Sequence, residues 1–264
     1  MNSQDLETLT DKVADLIIKS RKMVVFTGAG ISTESGIPDF RSPGGIWDRF
    51  DPEDFTYQKF VSSPESRRKQ WQMLREGLLT DKAMPNAAHD AVAELYGIGR
   101  LDCVITQNID NLHQRAGVPD NRVFELHGNM QWVVCLGCGQ RYPFSEVKIR
   151  LDNGEEIPDC GACRGMLKPD AVMFGEQLPA EVLHEASQRS HESDLFIVIG
   201  STLVVMPAAY MPRYAVQSGA KLVIINLSST PMDHQATVLI RSKAGEIMLR
   251  VVDKVKEKAG GDII

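Results

Sequence analysis

The chain has 264 residues, 43% hydrophobic and 24% charged, with a formal net charge of −6 and a pI near 5.6. That length can bury a sizeable core as a large α/β unit carrying a small insertion, and the acidic balance argues against direct nucleic-acid binding. No apolar run approaches the roughly 20 residues that span a bilayer, and Met1-Asn2-Ser3-Gln4-Asp5 lacks the basic-then-apolar pattern of a secretory leader, so a cytoplasmic protein with no membrane partner is expected.

From the N-terminus, the apolar spacing predicts an amphipathic helix over Leu6–Lys19 and a short strand over Met23–Thr27. The strand runs into Gly28-Ala29-Gly30-Ile31-Ser32. Glycines carry no Cβ, so such a turn lets backbone N–H groups approach a pyrophosphate. The dinucleotide fingerprint G-x-G-x-x-G is nevertheless incomplete: Thr33 holds the third glycine position, no acidic ribose partner follows, and Pro38 interrupts any long helix. Alone, the turn reads equally well as an ordinary strand-to-helix connection.

Further along, helices are predicted over Ala87–Tyr96, Pro179–Ser190 and Gly245–Lys256, and strands over Cys103–Thr106, Val123–Leu126, Leu195–Ile199 and Leu222–Ile225. This alternation gives an α/β fold, a mainly parallel sheet flanked by helices. Two stretches break it, 40–80 and 131–169, and both read as insertions beside the sheet. Polar and small residues gather where each strand stops: Gly28-Ala29-Gly30, Gln107-Asn108-Ile109-Asp110, His127-Gly128, Gly200-Ser201-Thr202 and Asn226-Leu227-Ser228. In open α/β sheets the ligand crevice lies outside the carboxyl ends of the strands, so these five clusters are expected to converge.

The second insertion holds Cys135, Cys138, Cys160 and Cys163, two CxxC knuckles about twenty residues apart. Each knuckle presents two thiolates from a tight turn, and together they can wrap a tetrahedral Zn2+ ion. Four thiolates leave no open coordination position, so the zinc would be structural. The fifth cysteine, Cys103, sits in an apolar run and reads as core.

Taken together, Gly28–Ser32, Ser35-Gly36-Ile37-Pro38-Asp39-Phe40-Arg41, Thr106–Asp110, His127-Gly128, the CxxC pairs, Phe174-Gly175-Glu176 and Gly200-Ser201-Thr202 resemble, in order, the sirtuin family of NAD-dependent protein lysine deacylases. The resemblance covers about residues 20 to 250. It implies one catalytic domain over 1–264: a Rossmann-like large part (about 1–44, 81–130 and 170–264) and a smaller inserted module, helical over 45–80 and a zinc ribbon over 131–169. Acyl-lysine and NAD would meet in the cleft between them.

By that resemblance Gly28, Ala29, Gly30, Ser32 and Thr33 line the pyrophosphate and adjoining ribose, and Gly200, Ser201, Thr202, Asn226, Leu227, Ser228 and Ala244 hold the adenosine half. Asp39, Phe40 and Arg41 belong to a mobile cofactor loop, and Gln107, Asn108, Ile109 and Asp110 form the nicotinamide and ribose pocket. His127 is the implied base, with Asn108 and Asp110 binding and twisting the nicotinamide. The acyl-peptide lies as an extended strand between Val172-Met173-Phe174-Gly175-Glu176 and Leu203-Val204-Val205. Read without the family, His127 is a satisfied or exposed histidine, Asp110 a cap for 111–116, and Arg41 a surface residue.

The implied reaction transfers acetyl from acetyl-lysine to ADP-ribose, releasing nicotinamide, free lysine and O-acetyl-ADP-ribose. Succinyl- or malonyl-specific sirtuins carry a Tyr-x-x-Arg pair that binds the acyl carboxylate; aligned here are Trp71 and Leu74, with Arg75 one position away. Simple acyl groups, acetyl first, are therefore expected, with longer acyl chains and mono-ADP-ribosyl transfer as alternatives. The incomplete fingerprint counts against a dehydrogenase, and the acidic composition together with His127, Asn108 and Asp110 counts against a mere NAD- and zinc-binding module. The partners implied are acyl-lysine proteins or peptides, and a monomer is expected.

Overall fold

The computed structural model describes residues 3–40, 44–48, 50–77 and 83–261. In chain order come α1 (Ser3–Lys19), β1 (Met23–Thr27), α2 (Tyr57–Ser62), α3 (Pro64–Arg75), α4 (Ala87–Gly97), β2 (Cys103–Thr106), α5 (Leu112–Ala116) and β3 (Val123–Glu125). Next are β4 (Gly128–Cys135), β5 (Arg141–Pro143), α6 (Phe144–Asp152) and β6 (Leu167–Ala171). The chain closes with α7 (Ala180–Glu192), β7 (Leu195–Ile199), α8 (Met211–Gln217), β8 (Lys221–Ile225), β9 (Val238–Ile240) and α9 (Ala244–Gly261).

Six strands form one parallel sheet in the order β3-β2-β1-β7-β8-β9. Counted within the sheet this is the doubly wound order, whose switch point lies between β1 and β7. Both of those strands are buried along their whole length, as apolar runs covered on two faces must be. Met23 and Val25 face a core shared with α1, α4 and α9, while Val24 and Phe26 face the core under α7 and α8. Cys103 is fully buried in the second of these. All five expected strands are present. The sixth, β9, is only three residues long, too short to stand out from the periodicity.

Beyond β1 the chain makes two 3₁₀ turns, Ala29–Ile31 and Thr33–Ser35, and stops at Gly36 with φ +86. No long helix follows, in keeping with Pro38. The two interruptions of the sheet pack on each other: Trp71 and Leu74 of α3 share a core with Met130 and Val133 of β4, Val147 and Leu151 of α6, and Leu167 of β6. Here β5, β4 and β6 form a separate antiparallel sheet.

The chain passes from the large sheet into β4 at Gly128, which pairs with Ala171. Gly128 has φ +74, and a Cβ there would lie 2.0 Å from the Asp170 carbonyl oxygen. Gly117 has φ +117, but a Cβ there meets nothing closer than Ala93 Cβ at 3.9 Å. Conformational strain alone costs about 1–2 kcal/mol, whereas backbone collision adds displacement of β6. Gly117→Ala should therefore cost about 1–2 kcal/mol, and Gly128→Ala more than about 3 kcal/mol, read from urea unfolding of the two variants; equal losses would contradict the clash.

Candidate functional site

The loops after β1 and β7 touch main chain to main chain. A Cβ on Gly30 would come 2.7 Å from Gly200 Cα, one on Gly28 2.9 Å from the Gly200 oxygen, and one on Gly200 2.2 Å from the Ile31 nitrogen. Gly28 N–H donates to the Ile199 oxygen (3.1 Å) and Gly30 N–H to the Gly200 oxygen (2.8 Å). The glycines thus serve the approach of two strand ends: the Gly28 and Gly30 N–H groups are spent across the contact, and Gly200 N–H donates to the Ile225 oxygen (2.9 Å).

A crevice of about 820 Å³ opens above this contact, within the ~300–1,000 Å³ usual for small-molecule sites. It is lined by Gly28, Ala29, Gly30, Thr33, Asp39 and Phe40 from the first loop, and by Gln107, Asn108 and His127. Gly200, Ser201, Thr202, Asn226, Leu227, Ser228 and Ala244 line it as expected, whereas Ser32, Ile109 and Asp110 do not. Arg41 lies outside the described residues. Glu34, Ser229, Ser242 and Lys243 also line the crevice without having been singled out. The latter two follow β9, so the rule that polar residues gather at strand ends would have found them had that strand been recognised.

A second cavity of about 290 Å³ adjoins the first and shares Ala29, Phe40, Gln107, Asn108, His127 and Val205 with it. Ser32, Ile109 and Asp110 line only this second space, as do Val172, Met173, Phe174, Gly175 and Glu176. Its walls are mostly apolar, including Ile46, Phe50, Phe55, Met73, Leu74 and Met130, and no Lys or Arg lines it among the described residues. Val204 lines the larger crevice instead, and Leu203 is buried, lining neither. Trp71 is fully buried in the core under α3, and Arg75 is exposed and outside the cavity wall.

At the seam, His127 Nδ1 lies 3.0 Å from the Gln107 carbonyl oxygen. A carbonyl only accepts, so the neutral ring carries its proton on Nδ1 and its lone pair on Nε2. Burial pulls the imidazole below its ordinary 6.5, and the carbonyl partly opposes that. Gln107 Oε1 accepts from Ser201 Oγ (2.7 Å), so one residue ties His127 to the loop after β7. Asn108 Nδ2 donates to the Gly28 oxygen (3.2 Å) and Ser32 Oγ (3.1 Å). Ser32 Oγ in turn donates to Asp110 Oδ2 at 2.7 Å, and Asp110 Oδ1 accepts from Leu112 N–H at 3.0 Å. Burial raises the Asp110 carboxyl above the usual range, against those two donors.

Beneath this layer Thr27 Oγ1 donates to Thr106 Oγ1 (2.8 Å), which also accepts from Asn108 N–H (3.0 Å). Thr27 Oγ1 lies 2.9 Å from His113 Nε2. His113 packs edge-on against His89, ring centroids 5.0 Å apart, and both are buried. His89 Nδ1 accepts from Asn86 N–H at 3.3 Å, closing the N-terminal turn of α4.

The four cysteine sulfurs all lie within 4.8 Å of one another. Cys135 and Cys163 are 3.5 Å apart and Cys138 and Cys160 3.7 Å. These separations are far from the ~2.05 Å of a disulfide and close to the ~3.8 Å edge of a tetrahedron with ~2.3 Å Zn–S bonds. Gly137 and Gly165 N–H groups each donate to a sulfur at 3.3 Å, and Tyr142 Oη stands 3.1 Å from Cys160 Sγ. Such contacts favour thiolate. The donor set fits zinc.

Comparison with known proteins gives one consistent result. The Sir2 family model matches residues 28–207. A relative from Thermodesulfovibrio yellowstonii named NAD-dependent protein deacetylase is 46% identical over 249 residues, covering 94% of this chain and 95% of its own. Among solved structures, one concerned with the mechanism and regulation of Sir2 enzymes superposes with a TM-score of 0.86 at 44% identity, covering 96% of this chain and 99% of its own. A Sir2–p53 peptide–NAD+ complex gives 0.82 at 41%, covering 94% and 98%. The chain belongs to the Sir2 family.

The buried histidines give the acid limb of stability a definite sign. Burial pushes His89 down to about 4 and His113 well below its ordinary 6.5. In this window the unfolded chain binds the extra protons, so these residues make stability fall as pH drops from 6.5 towards 4. Glu125, pushed up to about 7 by burial, acts oppositely: the folded state binds its proton first. His89→Gln keeps an N-terminal capping side chain and removes one titration. The gap in melting temperature between wild type and this variant should narrow as pH falls from 7 to 4.5; a gap independent of pH would refute the assignment.

Proposed function

We propose that this Sir2-family chain is an NAD-dependent protein lysine deacetylase whose reaction centre is the seam at His127. The observation that carries this reading is the meeting there of a crevice of about 820 Å³ between the strand-end loops and an apolar cavity of about 290 Å³. The first has the strand-end loops expected to hold NAD, and the second the walls expected around an acyl-lysine. Bound NAD supplies a nicotinamide leaving group on a ribose carbon that the acyl-lysine amide oxygen displaces, and the acetyl group ends on ADP-ribose.

The chain's own residues then have separable tasks. Asn108 and Asp110, locked by Ser32 and the Gly28 carbonyl, hold the nicotinamide end in a fixed orientation. Fixed geometry supplies what a weak amide nucleophile lacks. Phe40, common to both spaces, covers the reacting carbon and excludes water. His127 Nε2 takes the proton of a ribose hydroxyl, while the Gln107 carbonyl accepts Nδ1–H and stabilises the imidazolium that forms. Cys135, Cys138, Cys160 and Cys163 hold a structural zinc.

The proposed organisation is one catalytic domain over 1–264, with the large part at about 1–44, 81–130 and 170–264 and the small part at about 45–80 and 131–169. The reading extends to a cytoplasmic monomer acting on acyl-lysine proteins without binding nucleic acid or membranes. The net charge of −6 supports it, and no helix among the described residues is long and apolar enough to cross a membrane. The apolar cavity favours neutral acyl groups, acetyl and longer chains. A carboxylate-bearing acyl group would be buried with no cation among the described lining residues and with Glu176 and Asp110 on the wall.

Mass spectrometry of protein, acetyl-lysine peptide and NAD should show deacetylated peptide, nicotinamide and O-acetyl-ADP-ribose together, and none without NAD. His127→Ala should lower turnover by about 10³-fold with melting temperature and zinc content retained; full turnover would remove His127 from its role. Cys160→Ala should lose zinc and cooperative unfolding together. A succinyl-lysine peptide should react with kcat/KM at least about a hundredfold below acetyl, the scale of an unpaired buried charge.

A further inference from the structure

Lys168 is the only buried lysine among the described residues, 3% exposed. A buried ammonium is costly unless each of its donors finds an acceptor. Here all three do: the Pro169 oxygen at 2.9 Å, the Ala171 oxygen at 2.8 Å and Glu176 Oε2 at 3.1 Å. The ion pair therefore bridges the end of β6 and the far side of the loop that follows it.

That loop is the proposed peptide-binding edge, and its main chain is already largely committed. Met173 N–H donates to the same Glu176 Oε2 (2.9 Å), and the Met173 oxygen accepts from Glu176 N–H (3.0 Å). Phe174 N–H donates to the Phe55 oxygen (3.1 Å) and its own oxygen accepts from Tyr57 N–H (2.9 Å). Gly175, with φ +78, makes no main-chain hydrogen bond among the described residues, and a Cβ on it would meet nothing within 4 Å. The edge open to an incoming strand is thus narrower than the span from 172 to 176: it centres on Gly175.

We propose that Lys168 is a positioning residue for the acyl-peptide: by pinning Glu176 it turns the Met173 amide inward and presents Gly175 as the main-chain contact for substrate. This rests on the deacetylase reading above. Lys168 acts only through the loop and touches no reacting atom. Val172 is anchored separately, its N–H donating to the His127 oxygen at 2.8 Å. Removing the ammonium releases Glu176, and with it the Met173 amide, while Phe174 stays bonded to Phe55 and Tyr57 and Val172 to His127, so the effect belongs to peptide affinity rather than to chemistry or to NAD.

The test is steady-state kinetics of Lys168→Met and Lys168→Arg on an acetyl-lysine peptide, with melting temperature and zinc content measured alongside. The methionine variant should raise peptide KM about tenfold, or about 1.4 kcal/mol, with kcat within about twofold and NAD KM unchanged. Arginine, which restores the cation, should bring peptide KM back to within about threefold. An unchanged peptide KM in folded Lys168→Met overturns the proposal, as does an equal loss in kcat and NAD affinity, which marks a general structural role. If Lys168→Met does not fold, Glu176→Gln decides: peptide KM raised about threefold supports the pin and an unchanged KM refutes it. Wild-type protein inactive on the peptide overturns the deacetylase reading and the pin with it, whereas active wild type with an unaffected variant overturns the pin alone.

Discussion

A side chain at position 200 would have to sit 2.2 Å from the Ile31 nitrogen, so the loops leaving β1 and β7 can meet only as bare main chain. That contact falls at the switch point of the sheet, where strands on either side wind in opposite senses and leave a crevice. Everything at the site is hung from it. Gly28 and Gly30 donate across it, the Gly28 oxygen accepts from Asn108, and Ser201 next to Gly200 donates to Gln107. Gln107 orients His127 through its carbonyl. The site is thus a chain of fixed contacts from two strand ends, which is what a reaction dependent on alignment requires.

The second sheet is tied to this frame around His127, and again where Met130 N–H donates to the Ile109 oxygen (3.0 Å) and Asn129 Nδ2 to Asn111 Oδ1 (3.1 Å) and a Glu125 carboxylate oxygen (2.6 Å). His127 is followed by Gly128, where the chain turns into β4, and the His127 oxygen accepts from Val172 as the chain returns beyond β6. His127, the proposed base, therefore sits at the joint between the two bodies, and its main chain is held from both. The smaller body has a modest apolar core around Trp71, Met130 and Leu167. Small bodies bury too little surface to be stable alone, and a zinc ion held by the four cysteines would add to that stability. The cysteine cluster and the histidine are thereby connected mechanically although their chemistries are separate.

The sequence made the main sheet legible because its strands are short β-branched runs buried on both faces, and it made the convergence of the strand ends legible because small and polar residues follow each of them. β9 was lost because three residues carry no periodicity. β4 is not legible because Asn129 and Gln131 interrupt its apolar pattern: Gln131 is exposed, whereas Asn129 is buried and donates to Asn111 and Glu125. The glycine turn is legible as a crevice-lining loop, but a lone Gly-Ala-Gly cannot reveal that another glycine, Gly200, lies against it. Lys168 was invisible for the opposite reason, since lysine is so rarely buried that only the fold discloses its acceptors. The split of Ser32, Ile109 and Asp110 from the crevice-lining set likewise depends on side-chain direction, which strand-end position does not specify.

The seam at His127 also balances two opposed demands. Excluding water strengthens every hydrogen bond that aligns the reactants, yet the same burial disfavours the charged form of a base and lowers its proton affinity. A histidine pulled far down, as His89 is to about 4, would be permanently neutral at pH 7 but too weak to take a proton. His127 differs from His89 in one respect that matters: its Nδ1–H faces a carbonyl, and that bond raises the pKa that burial lowers. Asp110 shows the mirror case, a carboxyl raised by burial and lowered by Leu112 and Ser32. The main-chain carbonyl of Gln107 is therefore as much a part of the proposed base as the imidazole, and because no side-chain substitution at position 107 deletes it, the tuning is built into the course of the backbone between β2 and α5.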